Sequence, residues 1–301
     1  MFRYLGAKRL ESPMKSGKYL LPLLLGLSSM AAQALPLEAL RGPYNWKLQG
    51  TTTQLTAGYG NENTWGIGEI TSIKGSNGDA AWEAGTSDGT HLYFMLYGIA
   101  DLSVIANGPQ LDLYNVGCTG GACDGKIHID VYRLPTAVPG ILDQNPNNRC
   151  GFWCFSGITT APGTQYVSLT LDTGKVAMDV LSTPQDETTA VLKQKVDANV
   201  LPTSGDGTFY ASISGGTAAA QWDSNGFNFG RSDFDGNFTL KPNLISTGGA
   251  CTDAQAVANT CFTGLINDPV QSAANAIPEP ASLALFGLGL LGLVAVRRRN
   301  N

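Results

Sequence analysis

The stretch Lys126-Ile127-His128-Ile129-Asp130-Val131-Tyr132 places apolar Ile127, Ile129 and Val131 at every second position. Successive strand side chains point to opposite faces, so this spacing predicts a β-strand with one buried face. Lys126, His128, Asp130 and Tyr132 then share the other face, which is expected to be solvated. Tyr166 to Leu171 repeats the alternation, and Thr64 to Ile73, His91 to Ile105, Val176 to Leu181, Thr208 to Ser214 and Gly236 to Leu240 are further strand candidates. Clusters of Gly, Asn, Asp and Pro, such as Lys74 to Asp79 and Thr203 to Gly207, separate them. Many short strands with turn-rich breaks predict a mainly β chain, an antiparallel β-sandwich or jelly-roll-like domain. Helical signals are few. Asp186 to Val196 has acidic residues at its start and Lys193 and Lys195 near its end, as a helix macrodipole favours, but Thr188, Thr189 and Val191 equally permit a strand. Thr252 to Asn259 reads as a short helix.

Composition agrees with a folded, turn-rich chain. Of 301 residues, 37 are Gly and 15 are Pro, and 14% are charged, against roughly 25% charged in an average soluble domain. With 19 basic and 24 acidic residues the net charge is -5, so no basic field exists to recruit nucleic acid. The 2 His residues leave little room for a multi-His metal site.

The ends read as processing signals. Lys15, Gly17 and Lys18 precede the apolar run Tyr19 to Leu27, and small residues follow as far as Ala32-Gln33-Ala34, the order of a secretory signal peptide cleaved after Ala34. Residues 1–34 are thus expected to be removed, and Met14 would open a more compact signal than Met1. At the other end, Pro278-Glu279-Pro280 is followed by the apolar or small run Ala281 to Val296 and then Arg297-Arg298-Arg299. A helix over residues 281–296 reaches about 24 Å, a marginal membrane span that local bilayer thinning and Arg snorkelling would complete. The Arg cluster stays on the cytoplasmic side of such a span, leaving the preceding chain outside. Residues 35–266 are then the exported β-rich domain, and residues 267–277, polar and Ala-rich, a spacer before the tail over 278–301.

The Pro-Glu-Pro triplet, the following Ala-Ser-Leu-Ala-Leu, the Gly-Leu-rich run and the terminal Arg cluster resemble the PEP-CTERM protein-sorting domain of Gram-negative bacteria. The resemblance implies recognition by an exosortase, an integral-membrane transpeptidase of cysteine type, and removal of the tail near Pro278. It further implies delivery to the cell surface or extracellular matrix, a transient anchor in the inner membrane before processing, and the company of exopolysaccharide in a biofilm or floc. Without residues 1–34 and the Arg297-Arg298-Arg299 cluster the chain keeps 11 basic and 23 acidic residues, about -12, so the exported part is distinctly acidic.

The 6 cysteines, Cys118, Cys123, Cys150, Cys154, Cys251 and Cys261, all lie in the exported part. An oxidising compartment favours disulfides, and the spacings C-x4-C, C-x3-C and C-x9-C make local pairs the simplest pattern. Cys118 or Cys123 joined to Cys150 or Cys154 is the alternative. A zinc site would want a C-x2-C knuckle, which the sequence does not offer.

Candidate chemistry is sparse. His128 and Asp130 share a strand face, but no Gly-x-Ser-x-Gly or His-Glu-x-x-His motif accompanies them, so no catalytic residue is assigned. Asp233, Asp235 and Asn237 supply alternating oxygens of the kind calcium takes, but Gly236 falls too early for an EF-hand, and a turn accounts for the same letters. Among Trp46, Trp65, Trp82, Trp153 and Trp222, the one between Cys150 and Cys154 is the best candidate for an exposed glycan contact, while core packing is expected of the others. The sequence therefore predicts a non-enzymatic surface or matrix protein without a cofactor. A secreted carbohydrate-binding module is the alternative, with a secreted hydrolase third.

Overall fold

The alternating stretches form strands within the residues that the computed structural model describes, which are 36–55, 62, 64–139, 149–158, 165–176, 189–197, 205–243 and 261–275. In chain order these strands are β1 (Gly42–Leu55), β2 (Thr64–Gly75), β3 (Ala80–Glu83), β4 (His91–Asn107) and β5 (Gln110–Gly117). The short β6 (Thr119–Gly120) and β7 (Cys123–Asp124) follow, then β8 (His128–Leu134), β9 (Arg149–Gly151), β10 (Cys154–Phe155) and β11 (Gln165–Asp172). The last are β12 (Leu192–Asp197), β13 (Gly205–Gly215), β14 (Phe234–Asn243) and β15 (Cys261–Ala274), with a single helical turn α1 (Ala219–Trp222) before β14. The segment whose helical and strand signals competed is β12 from Leu192 onward. The strand expected from Val176 to Leu181 and the helix expected over Thr252 to Asn259 lie outside the described residues, apart from Val176 itself.

The antiparallel all-β architecture holds, but the two-layer sandwich or jelly roll does not: one sheet closes on itself as a barrel. β1 pairs with β15 along its length, from Gly42 opposite Ala274 to Leu55 opposite Cys261, and on its other edge with β2. β2 in turn pairs with β4, and the circuit returns through β5, β12, β13, β14 and β15. Two positions in this circuit are shared end to end by a pair of strands. β4 meets β8 over His91 to Tyr97 and β5 over Ile99 to Asn107, while β13 meets β12 up to Phe209 and β11 from Tyr210. Closure joins edges that a sandwich would leave unpaired.

The barrel interior is filled by side chains. Leu92, Phe94 and Leu96 of β4, Ile129 and Val131 of β8, and Trp46, Phe209 and Phe234 belong to one buried cluster. Trp46 packs edge-on against Trp222 of α1 (4.7 Å between centroids) and against Phe234 (5.4 Å). Gly50 and Gly68 oppose each other in register, and the Phe94 ring lies over both. A Cβ on Gly68 would come within 2.5 Å of the Gly50 Cα and 2.6 Å of the Phe94 ring, so the ring occupies the volume two side chains would take.

One end of the barrel holds both ends of the described fold. Gln221 of α1 donates through Nε2 to the carbonyls of Leu37 (2.7 Å) and Leu40 (3.3 Å), and its backbone carbonyl accepts from the Asn275 backbone amide (2.7 Å). The Asn275 side-chain amide donates to the Asp223 carbonyl. Asn267 to Ala274, expected within the spacer, instead belongs to β15, paired with β1 on one edge and β14 on the other. The folded domain therefore runs to Asn275, because ladder pairing on both edges organises residues whose own pattern is too polar to announce a strand.

Candidate functional site

The outer face of β2, β4 and β8 is largely covered: Lys126 is exposed as expected and His128 is half-buried, but Asp130 and Tyr132 are buried, which corrects the expectation of a solvated face there. Tyr93, Met95 and Tyr97 of β4, Tyr132 and Leu134 of β8, and Trp65 and Ile67 of β2 form a second buried cluster with Phe152, Phe155 and Ile158. The covering segment is the β9–β10 hairpin and the residues after it. Asp130 is only 5% exposed. Its carboxylate accepts from the Tyr97 hydroxyl (2.9 Å) and the Tyr132 hydroxyl (3.3 Å), which supply partners that a buried carboxylate requires. Burial, reinforced by the Asp130 charge, pushes both phenols well above the usual tyrosine range.

The expected local disulfides Cys118–Cys123 and Cys150–Cys154 both form. The first closes the β6–β7 hairpin, where Asp124 accepts from His128 Nε2 (3.0 Å) while the His128 ring stacks on Tyr97 (4.9 Å between centroids). Burial raises the Asp124 pKa, but the hydrogen bond and charge of His128 outweigh it and hold the carboxyl below its usual value. His91 is engaged separately by Glu69 (2.9 Å). Since His91 pairs with Leu134 and His128 with Tyr97, the imidazoles lie 6 residues apart along one ladder, roughly 20 Å, which is too far to share a metal ion. Cys251 lies outside the described residues, and for Cys261 only the backbone of β15 is described.

The second disulfide staples the hairpin that carries Trp153. Phe152 points inward, its ring edge-on to Tyr97 (5.2 Å), whereas the next side chain, Trp153, is 58% exposed. The hairpin is pinned at its base by Arg149, which pairs with Glu62 (2.7 Å) where both side chains are almost fully buried, at 2% and 0% exposure. The Arg149 guanidinium also donates to the carbonyls of Gly151 and Phe152 and lies 4.8 Å from the centre of the Trp65 ring. Glu62 reaches across to accept from the Gly98 amide (2.7 Å). Removing one member of such a buried pair costs about 3–5 kcal/mol. The result is a rigid platform that presents one aromatic ring to solvent. Trp46, Trp65, Trp82 and Trp222 are buried.

Of the calcium candidates, Asn237 donates through its side-chain amide to the Asp235 carboxylate (3.5 Å). Asp233 accepts from the amides of Ile213 (2.8 Å) and Asn225 (2.6 Å), Asp235 pairs with Lys175, and Asn237 is exposed on β14. Asp235 and Asn237 stand on β14, which is paired on both sides, and Asp233 in the bend before it. Arg149 and Glu62 are missed by sequence reading because they are brought together across 87 residues of chain; no spacing rule joins them.

The PEP-CTERM protein-sorting motif matches residues 276–299, immediately after Asn275. This C-terminal match supports an exported protein sorted by an exosortase. No curated protein and no solved structure matches the chain. No helix among the described residues is long and apolar enough to cross a membrane. Ala32, Ala34, Pro278, Glu279, Pro280, Arg297, Arg298, Arg299 and the apolar run 281–296 lie outside the described residues.

Proposed function

We propose that this chain is a non-enzymatic protein of the cell surface or extracellular matrix, whose stapled outer face contacts an exopolysaccharide through Trp153. Export begins with the N-terminal signal, the 281–296 segment holds the protein transiently in the inner membrane, and an exosortase removes the tail. The observation that carries the glycan reading is Trp153, 58% exposed at the tip of a hairpin closed by Cys150–Cys154 and pinned by Arg149 and Glu62. A pre-organised aromatic ring stacks on a sugar face without an ordering cost at the moment of binding. No bulk attraction helps, since the exported part is acidic, and the reading uses no cofactor.

Titration of the purified protein with the producer's own extracellular polysaccharide tests this. Saturable binding that weakens about tenfold or more in Trp153→Ala, roughly 1.4 kcal/mol, is expected of a dedicated carbohydrate-binding module. Binding equal in the two proteins would remove Trp153 from the contact and leave a matrix protein held there by other means.

A further inference from the structure

We propose that the loop between α1 and β14 is a lipid-contacting surface, with Phe229 seated in the interfacial region of the bilayer while the sorting tail is intact; this rests on the membrane-held tail proposed above. Phe229 is 103% exposed, the most exposed large apolar side chain among the described residues. It is also held in the left-handed backbone region (φ 56°), as are Asn225 (φ 50°) and Asn228 (φ 49°). These are the non-glycine residues with positive φ among those described, and they all fall in this one loop. A bulky residue in that region is disfavoured, and such a conformation persists where the surroundings impose it. Here they do: Asp233 accepts from the Asn225 amide, Phe227 and Ser232 pair through their backbones, and the Asn228 side chain donates to the Thr173 carbonyl (3.1 Å).

The loop also lies where the chain leaves the barrel. A Cβ on Gly226 would touch the Ala273 side chain at 3.8 Å, and Asn275 is tied to Gln221 of α1 and to Asp223 at the start of the loop. From Asn275 to Ala281, where the apolar run starts, is 6 residues, at most about 20 Å when fully extended. A tail embedded in the membrane thus keeps this end of the barrel close to the lipid surface. Arg231, exposed two residues after Phe229, suits lipid phosphates, and an aromatic ring beside a cation is the usual chemistry of an interfacial anchor. Asp223 is the acidic side chain exposed on the same loop, balancing Arg231 without reversing the apolar contact.

The test places an environment-sensitive fluorophore on Phe229→Cys or, at the other end of the barrel, on Val104→Cys in the full chain. Each is reconstituted with vesicles of phosphatidylethanolamine and phosphatidylglycerol, and both native positions are exposed enough to accept the change. Flotation with the vesicles, a blue shift at position 229 and at least twofold quenching by nitroxide-bearing lipid there but not at position 104 are expected. A chain that floats while both labels remain equally wet overturns the lipid contact and leaves the anchored tail standing. A chain that does not float overturns the anchoring and this proposal with it. A shift at position 229 that requires added exosortase overturns the lipid assignment in favour of a protein partner.

Discussion

Asp130 shows how a residue acquires a role that its spacing conceals. On its strand it alternates with Ile129 and Val131 as a polar outward residue should, yet it is buried and bridges Tyr97 and Tyr132. Both phenols have folded pKa values raised above the unfolded value of about 10. The folded state therefore keeps protons that the unfolded chain releases, so their contribution is fully present below that pH and is lost as pH rises toward the folded values. Phenolate absorbance followed in an alkaline titration should show Tyr97 and Tyr132 silent until the barrel itself unfolds. In Asp130→Asn, which removes the neighbouring charge, their ionisation should move toward lower pH. Early ionisation of both in the intact parent protein would contradict the buried arrangement.

At the scale of elements, the contact between β1, β2 and β4 depends on what is absent. Gly50 and Gly68 leave room for the Phe94 ring inside the barrel, and a Cβ at position 68 would lie 2.3 Å from the Gln49 carbonyl oxygen. Backbone on one side and a packed ring on the other leave no flexible neighbour to yield. Gly68→Ala should destabilise the fold by about 1–3 kcal/mol, the usual cost of overpacking, read as a lower denaturant midpoint at unchanged slope. An unchanged midpoint would show that the ring can move aside. The short disulfides act differently: each closes a loop of only a few residues, which by chain entropy restricts the unfolded chain by about 2 kcal/mol. Their larger effect is positional, since Cys150–Cys154 fixes the turn on which Phe152 faces inward and Trp153 outward.

For the whole molecule, the pairing of Gly42 with Ala274 brings the two ends of the described fold to one pole, where Gln221 binds both flanking segments. Intact mass and terminal sequencing of the extracellular protein should find a start at Leu35 and an end near Pro278; a chain still carrying Arg297 to Arg299 would contradict tail removal. Much of this was legible in the sequence. Alternation marked β2, β4, β8, β11, β13 and β14, because a strand with a buried face writes a period of two into its own residues. Cysteine spacing marked both described disulfides, and the Pro-Glu-Pro segment marked the sorting address, since each is a local pattern complete within a few residues. Closure of the barrel, the strand made by Asn267 to Ala274, the Glu62–Arg149 anchor and the burial of Asp130 were decided only in the tertiary structure. Each depends on a partner far along the chain, and a polar residue's burial is set by the segment that comes to cover it, which its own neighbours in sequence do not reveal.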